Sequence, residues 1–444
     1  MSPAQIGYIR IDMFKAPRGA NLNVHFHVPR ASSLVLVVGS GMERLALTLQ
    51  KSFAEAQRDS KWIVDFPLLV NEVCVGLGGF RMCMKLAGVD YDTRCWDKEA
   101  RYKTFYEELV KEDPEAYLET NIGADGDLLL ASDAGDADGV VGGPPCTPWA
   151  SNGGRLGKQD AQSRVFLRAV DQIIALATDG SLTFCALENS PNIGTVLPGE
   201  KTSFLSDMLD RLNAALPGWS FDVQISSLRD CWPHSRNRLW LRGVDKLLLG
   251  DSEELPEPAL MRDLKVSLQE LLEKNVPNMQ PKCLNTVKRK KNLRDYTRRI
   301  KTEYKSALLE RREPPGKIAI FEIDRALDKK FGGVLLYDTV PSLRVNGQDL
   351  FIASVKDVVD GTPIKRRAFH RLLTVRERFL LQGHPADDAS KFNKALGKFA
   401  TGNAFAVPMV ASVVGPLVTL AMKHKRRLVE EGLLTSQHAK RIKF

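Results

Sequence analysis

No stretch of the 444 residues is long and apolar enough to read as a membrane span. The longest apolar run, Ala404 to Met422, is interrupted by Pro408, Gly415 and Pro416 and fits a core helix better. The N-terminus lacks a basic segment followed by an apolar core, so no signal peptide is expected. Paired cysteines are missing too. The seven, Cys74, Cys83, Cys95, Cys146, Cys185, Cys231 and Cys283, are odd in number, scattered and without a CxxC pair. That argues for a reducing compartment and against a disulfide framework or a zinc site. His25 and His27 alternate onto one strand face, but no third ligand accompanies them, so no metal is expected. No zinc finger or chromatin-reading module is visible.

Charge is unevenly placed. The net charge is +9, and the segment 281–312 holds twelve lysines and arginines against three acids, so the remainder is close to neutral. A basic cluster on a neutral body suggests a polyanionic partner, most simply nucleic acid. Within it Leu293, Tyr296, Ile300, Tyr304 and Leu308 fall at helical spacing, which predicts an amphipathic helix over 286–312 ended by Pro314-Pro315. Its other face carries Lys288, Arg289, Lys290, Lys291, Arg294, Arg298 and Arg299. Such runs are usually solvated faces; the density of one sign favours phosphate contact here. The segments 423–427 and 440–441 read as a nuclear localisation signal or as a solvated tail, giving nuclear placement in a eukaryotic cell and cytoplasmic otherwise.

The length suits one large domain with an insertion, or two domains. Residues 1–65 say little: 8–11 and 23–28 alternate like half-buried strands, and the Gly39-Ser40-Gly41 after an apolar run is a weak nucleotide-loop signal. A better one follows. Val73-Cys74-Val75 reads as a strand, Gly76-Leu77-Gly78-Gly79-Phe80 as a loop, residues 81–87 as a helix, and 90–95 as a second strand leading into Trp96-Asp97. Glycines at a helix start let a ligand approach the backbone, and an acid at the end of the next strand can reach a ribose. Trp96 could cover an adenine.

Next, Val140-Val141 runs into Gly142-Gly143-Pro144-Pro145-Cys146-Thr147-Pro148, a loop stiffened by proline that holds a thiol at a strand's carboxyl end. Cys146 is a candidate nucleophile, against the common alternative of an inert buried cysteine. A polar, glycine-rich loop over 151–160 is long enough to cover a site. A helix over 166–176 and a strand over 182–187 lead to Glu188-Asn189-Ser190-Pro191, with Glu188 facing the same edge as Cys146. A helix over 203–215 and a strand over 220–226 precede His234-Ser235-Arg236-Asn237-Arg238, whose arginines face one way before a strand at 239–241.

This order of residues resembles the cytosine-C5 DNA methyltransferase family. The glycine loop is similar to its FxGxGG block, Gly143-Pro144-Pro145-Cys146 to GPPC, Glu188-Asn189-Ser190 to ENV, and Arg236-Asn237-Arg238 to the arginine pair of QxRxR. The segment 370–385, with Leu372-Leu373-Thr374, Arg376-Glu377 and Leu381-Gln382-Gly383-His384-Pro385, is similar to RxLTxRExxxLQGFP, and Gly402-Asn403-Ala404 to the closing GNA/SV. Six blocks in family order cover about 70–243 and 335–422.

The resemblance implies an α/β, Rossmann-like methyltransferase domain with a mostly parallel sheet and a smaller inserted target-recognition region. Its divisions would be an N-terminal extension at 1–65, a catalytic domain at 66–243, a basic recognition region at 244–335 and a completing segment at 336–444. It implies S-adenosylmethionine as methyl donor and DNA as substrate, with RNA, as tRNA, the alternative. Gly76, Gly78, Gly79, Phe80, Trp96, Asp97, Asp127, Pro144 and Asn403 would line the cofactor site. Cys146 would attack C6 of the base, Glu188 would protect N3, and Arg236 and Arg238 would hold the base and a phosphate and favour the thiolate. Ser151, Lys288, Arg289, Lys290, Lys291, Arg298 and Arg299 would meet nucleic acid. The chain departs from the family at Cys74 for the first aromatic of the glycine block, Cys95 for an acid that holds the ribose, His234 for the glutamine of QxRxR, Ala150 for a serine and Ser190 for a valine. A protein that kept the fold and binds nucleic acid without turnover is the reading from another class.

Overall fold

Among the described residues of the computed structural model, seven strands make the main sheet, and they do not lie in chain order. The structure describes residues 24–26, 34–36, 40–57, 67–89, 91–123, 135–150, 156–229, 231–250, 252, 254–258, 264–278, 286–327, 333–345 and 349–433. Residues 1–38 form one unit, in which β1 (Val24–Phe26) and β2 (Leu34–Leu36) pair antiparallel. Residues 39–444 form the other.

The main sheet uses β3 (Leu68–Val73), β4 (Tyr91–Asp97), β5 (Tyr117–Ile122), β6 (Gly139–Gly142), β7 (Phe184–Asn189) and β8 (Trp219–Ser227). After the short β9 (His234–Ser235) comes its last member, β10 (Asn237–Asp245). The order is β5-β4-β3-β6-β7-β10-β8, all parallel except β10, which runs antiparallel to both neighbours. β3 and β7 are buried along their whole length, as strands covered on both faces must be. Side chains alternate between the faces. Trp96 joins a core with Leu69, Val73, Trp149 and Phe166, whereas Cys95 joins one with Val75, Tyr102 and Tyr106. β3 has β4 on one side and β6 on the other, so the strand order reverses there. A crevice opens at the carboxyl ends of strands at such a point.

Helix Ser40–Gln57 packs on helices Gly79–Ala87 and Gly415–Glu430, burying Leu45, Leu49 and Phe53. This helix belongs to the larger unit, which begins at Gly39. The apolar stretch after residue 404 makes two helices, Val407–Val413 and Gly415–Glu430, each with proline in its first turn. No single helix among the described residues is long and apolar enough to cross a membrane.

A second sheet follows: β11 (Ile318–Glu322), β12 (Leu335–Tyr337), β14 (Leu350–Ser354) and β15 (His370–Leu372), in the order β12-β11-β14-β15 and antiparallel throughout. Between them, β13 (Val340–Pro341) pairs in parallel with β9. Helix Val287–Leu309 starts on the Thr286 cap and lays Tyr296 and Ile300 on the sheet, with the Tyr296 and Phe321 rings stacked at 4.3 Å. It ends before the prolines, and Leu308 is 55% exposed. A recognition region drawn at 244–335 thus cuts the sheet, which continues to Leu372. Leu264, Val266 and Leu271 are buried instead near the N-terminal helix, where Val266 and Leu271 crowd Gly41.

Candidate active site

β3 ends at Val73 because Cys74 turns into the left-handed region with φ 54°, an uncommon conformation for a residue with a Cβ. Gly76 (φ 56°) and Gly78 (φ 68°) take the same region without strain and lead into helix Gly79–Ala87. The Asp97 carboxylate holds this loop: Oδ2 accepts from the Gly76 amide at 2.8 Å and Oδ1 from the Glu99 amide at 2.9 Å. Burial outweighs those bonds and lifts its pKa to about 6. Glu99 itself is tied to the Arg101 guanidinium, with Nε at 2.6 Å. Trp96 is 0% exposed, and Phe80 is buried edge-on to Tyr91, so neither aromatic presents a face to the crevice. Asn403 is exposed, and its carbonyl oxygen would lie 3.7 Å from a Cβ on Gly76. Asp127 and Ser151 lie outside the described residues.

On the next strand, the loop after β6 is stitched to the end of β7. The Gly143 amide donates to Val73 at 3.2 Å, and Asn189 Nδ2 donates to the carbonyl of buried Pro144 at 3.0 Å. The Cys146 carbonyl accepts from Trp149 and Ala150 at 3.1 and 2.9 Å, while Asn192 Nδ2 donates to the Trp149 carbonyl at 3.2 Å. These bonds fix Cys146 beside Glu188. Arg238 Nε is paired with Glu188 at 2.6 Å, and Arg236 Nη2 stands 3.7 Å from the same oxygen. Arg236 is buried. Its Nη2 donates to the Ala404 carbonyl at 2.8 Å, and its Nε and Nη1 have no hydrogen-bond partner among the described residues.

Arg238 and Arg236 do pull the Cys146 thiol toward ionisation, but burial first and the Glu188 charge second push it the other way and prevail. The free protein therefore carries a thiol at neutral pH. His234, in the place of a glutamine, is fully buried and accepts from the Leu343 amide at 3.4 Å through Nε2. Burial, reinforced by both arginines, keeps it neutral.

The basic helix is less uniform than its sequence. Lys288, Lys290 and Lys291 are exposed, and Arg298 is 79% exposed. Lys291 and Arg298 flank Asp295 at 3.1 and 3.7 Å, and Arg299 pairs with Glu303. Arg289 turns inward and bridges Asp324 and Asp349, each at 2.7 Å, so it holds the helix to its sheet. Lys425, in the basic run 423–427, is also internal, paired with Asp138 at 2.7 Å.

Phe405 escaped the sequence reading. It fills the space left by two glycines: an ideal Cβ on Gly79 would lie 2.6 Å from Phe405 Cβ, and one on Gly143 would lie 2.5 Å from its ring. Its ring lies 5.6 Å from Trp240. One aromatic thus joins the glycine loop, the cysteine loop and β10. Its position directly after the closing Gly-Asn-Ala block was the available signal.

No curated protein matches the sequence. Among solved structures, the Entamoeba histolytica methyltransferase EhMeth is 13% identical, with 79% of this chain and 98% of that one covered and a TM-score of 0.46. The S. pombe Dnmt2 methyltransferase is 17% identical, with 80% and 98% covered and a TM-score of 0.46. The family profile for C-5 cytosine-specific DNA methylases matches residues 69–418, which span the glycine loop, the cysteine loop, the arginine pair and the closing segment. With that much of its length matched, the chain belongs to the C-5 cytosine-specific DNA methylase family.

Proposed function

We propose that this protein transfers a methyl group from S-adenosylmethionine to C5 of cytosine in DNA through a covalent Cys146 intermediate. One observation carries the reading: Cys146, Glu188 and Arg238 meet beside Arg236, whose buried Nε and Nη1 donors lack partners among the described residues. Buried donors without partners are costly unless a ligand completes them. A base carbonyl suits that need.

The cofactor also fits. Gly76 and Gly78 turn through the left-handed region just before a helix start, a backbone that an L side chain would strain. Gly76, Gly78 and Asn403 would hold S-adenosylmethionine, which supplies an electrophilic methyl group. Cys146 passes its proton to the Glu188 carboxylate and its sulfur adds to C6 of a cytosine swung out of the duplex, which makes C5 nucleophilic. Glu188 holds a proton at N3, and Arg238 keeps the carboxyl in place. After transfer water takes the C5 proton, the C5–C6 double bond re-forms, and the sulfur departs from C6 as the thiolate. The thiol ionises only when substrate fills the site, so the free protein resists stray alkylation. Lys288, Lys290, Lys291 and Arg298 contact phosphates.

The test is covalent trapping with S-adenosylmethionine and duplex DNA carrying 5-fluorocytosine, which blocks release after transfer. A denaturation-resistant adduct, absent in Cys146→Ala, is expected. An adduct with tRNA in place of DNA would move the substrate to RNA. Binding without any adduct would leave a nucleic-acid-binding protein.

A further inference from the structure

We propose that Asp97 is a positioning residue: its carboxylate fixes the glycine loop through the Gly76 amide and is not a ligand for the cofactor's ribose. The inference rests on the cofactor reading above and deepens it. Both Asp97 oxygens already accept backbone N–H groups, from Gly76 and from Glu99. Its own carbonyl accepts from Gly123 at 2.9 Å, and the preceding Trp96 carbonyl accepts from Val75 at 3.2 Å. Asp97 therefore belongs to the frame on which residues 75–78 rest. Gly76 needs this help. The chain leaves the β3–β4 ladder, which ends at Val73–Trp96, where Cys74 turns left-handed, and beyond it the Asp97 carboxylate accepts the Gly76 amide in place of a strand partner.

The other acid at this strand end does not substitute, since Glu99 is held by Arg101. Cys95, at the position of the family's ribose acid, is fully buried with its sulfur 3.5 Å from Thr93 Oγ1. The titratable groups that face Asp97 are Glu99, Tyr102, Tyr106, Cys74 and Cys95. None of these is a cation, and among the described residues the Gly76 and Glu99 amides are the groups that lower the carboxyl's pKa. Protonation turns one oxygen into a donor facing an N–H, and the loop loosens. Cofactor affinity falls as pH drops through about 6.

The test uses the full chain and two ligands, S-adenosylhomocysteine and its 2′-deoxy analogue, bound to wild type and Asp97→Asn in calorimetry. A clamp weakens both ligands by one common factor, about ten- to a hundredfold for a lost charge-assisted bond. A penalty that vanishes with the 2′-deoxy analogue would identify a ribose ligand and overturn the proposal. Hydrogen exchange at the Gly76 amide, measured without ligand, is expected to quicken at least tenfold in Asp97→Asn; unchanged exchange overturns the clamp. That arm needs no cofactor. If wild type binds neither ligand, the functional reading fails, and the exchange result alone decides the role of Asp97.

Discussion

Adding one methyl group at Gly143 tests how tightly the active-site wall is packed. An ideal Cβ there would stand 2.5 Å from Phe405 Cε1 and 2.7 Å from Cζ. Ordinary contact begins near 3.4 Å, so the ring must retreat by about 1 Å. It has little room. Its Cβ already abuts Gly79, its ring meets Trp240, and Glu188 Oε2 would be 3.7 Å from the new methyl. Overpacking of this kind costs about 1–3 kcal/mol, a fall of a few degrees in Tm for a chain of this size. The larger effect should be on rate, because the displaced ring presses on Glu188 and the glycine loop together. Gly143→Ala is expected to lower kcat for methyl transfer at least tenfold. Phe405→Leu in that background removes the clash and should recover part of both losses. Calorimetry and single-turnover methylation on the four proteins of this cycle give the coupling directly. Strictly additive effects, or a Gly143→Ala protein as stable and active as wild type, would refute the packing argument.

Other expectations follow from buried and exposed charges. Glu72 accepts from Thr93 Oγ1 at 3.0 Å, and burial raises its pKa to about 7. Its folded pKa lies above the unfolded one, so the folded state binds the proton more tightly, and stability is lost as pH rises from about 4.5 to about 7. Glu72→Gln should remove that loss and unfold at higher denaturant than wild type at pH 8, by up to about 3 kcal/mol; equal midpoints at pH 8 would count against it. On the surface, neutralising Lys288, Lys290 and Lys291 together should reduce the slope of log affinity for duplex DNA against log salt by about 2–3, read by titration at several salt concentrations. Arg289→Gln should instead lower thermal stability, because it breaks a partly buried bridge to two acids.

The parts of the site legible in the sequence are those where local chemistry dictates the backbone. Strands covered on both faces show as apolar runs, so β6 and β7 could be seen, and the proline pair fixed the loop that carries Cys146. What stayed hidden depends on distant partners. Arg289 reads as one more cation until Asp324 and Asp349, 35 and 60 residues away, fold onto it. The second sheet runs to Leu372 because β11 pairs with β14, a contact no local pattern announces. Trp96 and Phe80 carried the right composition for a cofactor wall, yet close packing enclosed both. The state of the Cys146 thiol is a balance of burial against two arginines, and sequence supplies the arginines but not the burial.

The bond from Arg236 to the Ala404 carbonyl joins residues 168 positions apart. During synthesis at about 5–20 residues per second, roughly 10–30 s pass between the two. Over that interval the nascent chain carries its nucleophile, its acid and its arginines, but no Phe405 to wedge the two loops together. The pocket therefore cannot mature piecemeal on the ribosome. Competence arrives in a single late event, when the returning segment docks. A ribosome stalled before residue 404 would display every reactive group of the site and bind no cofactor.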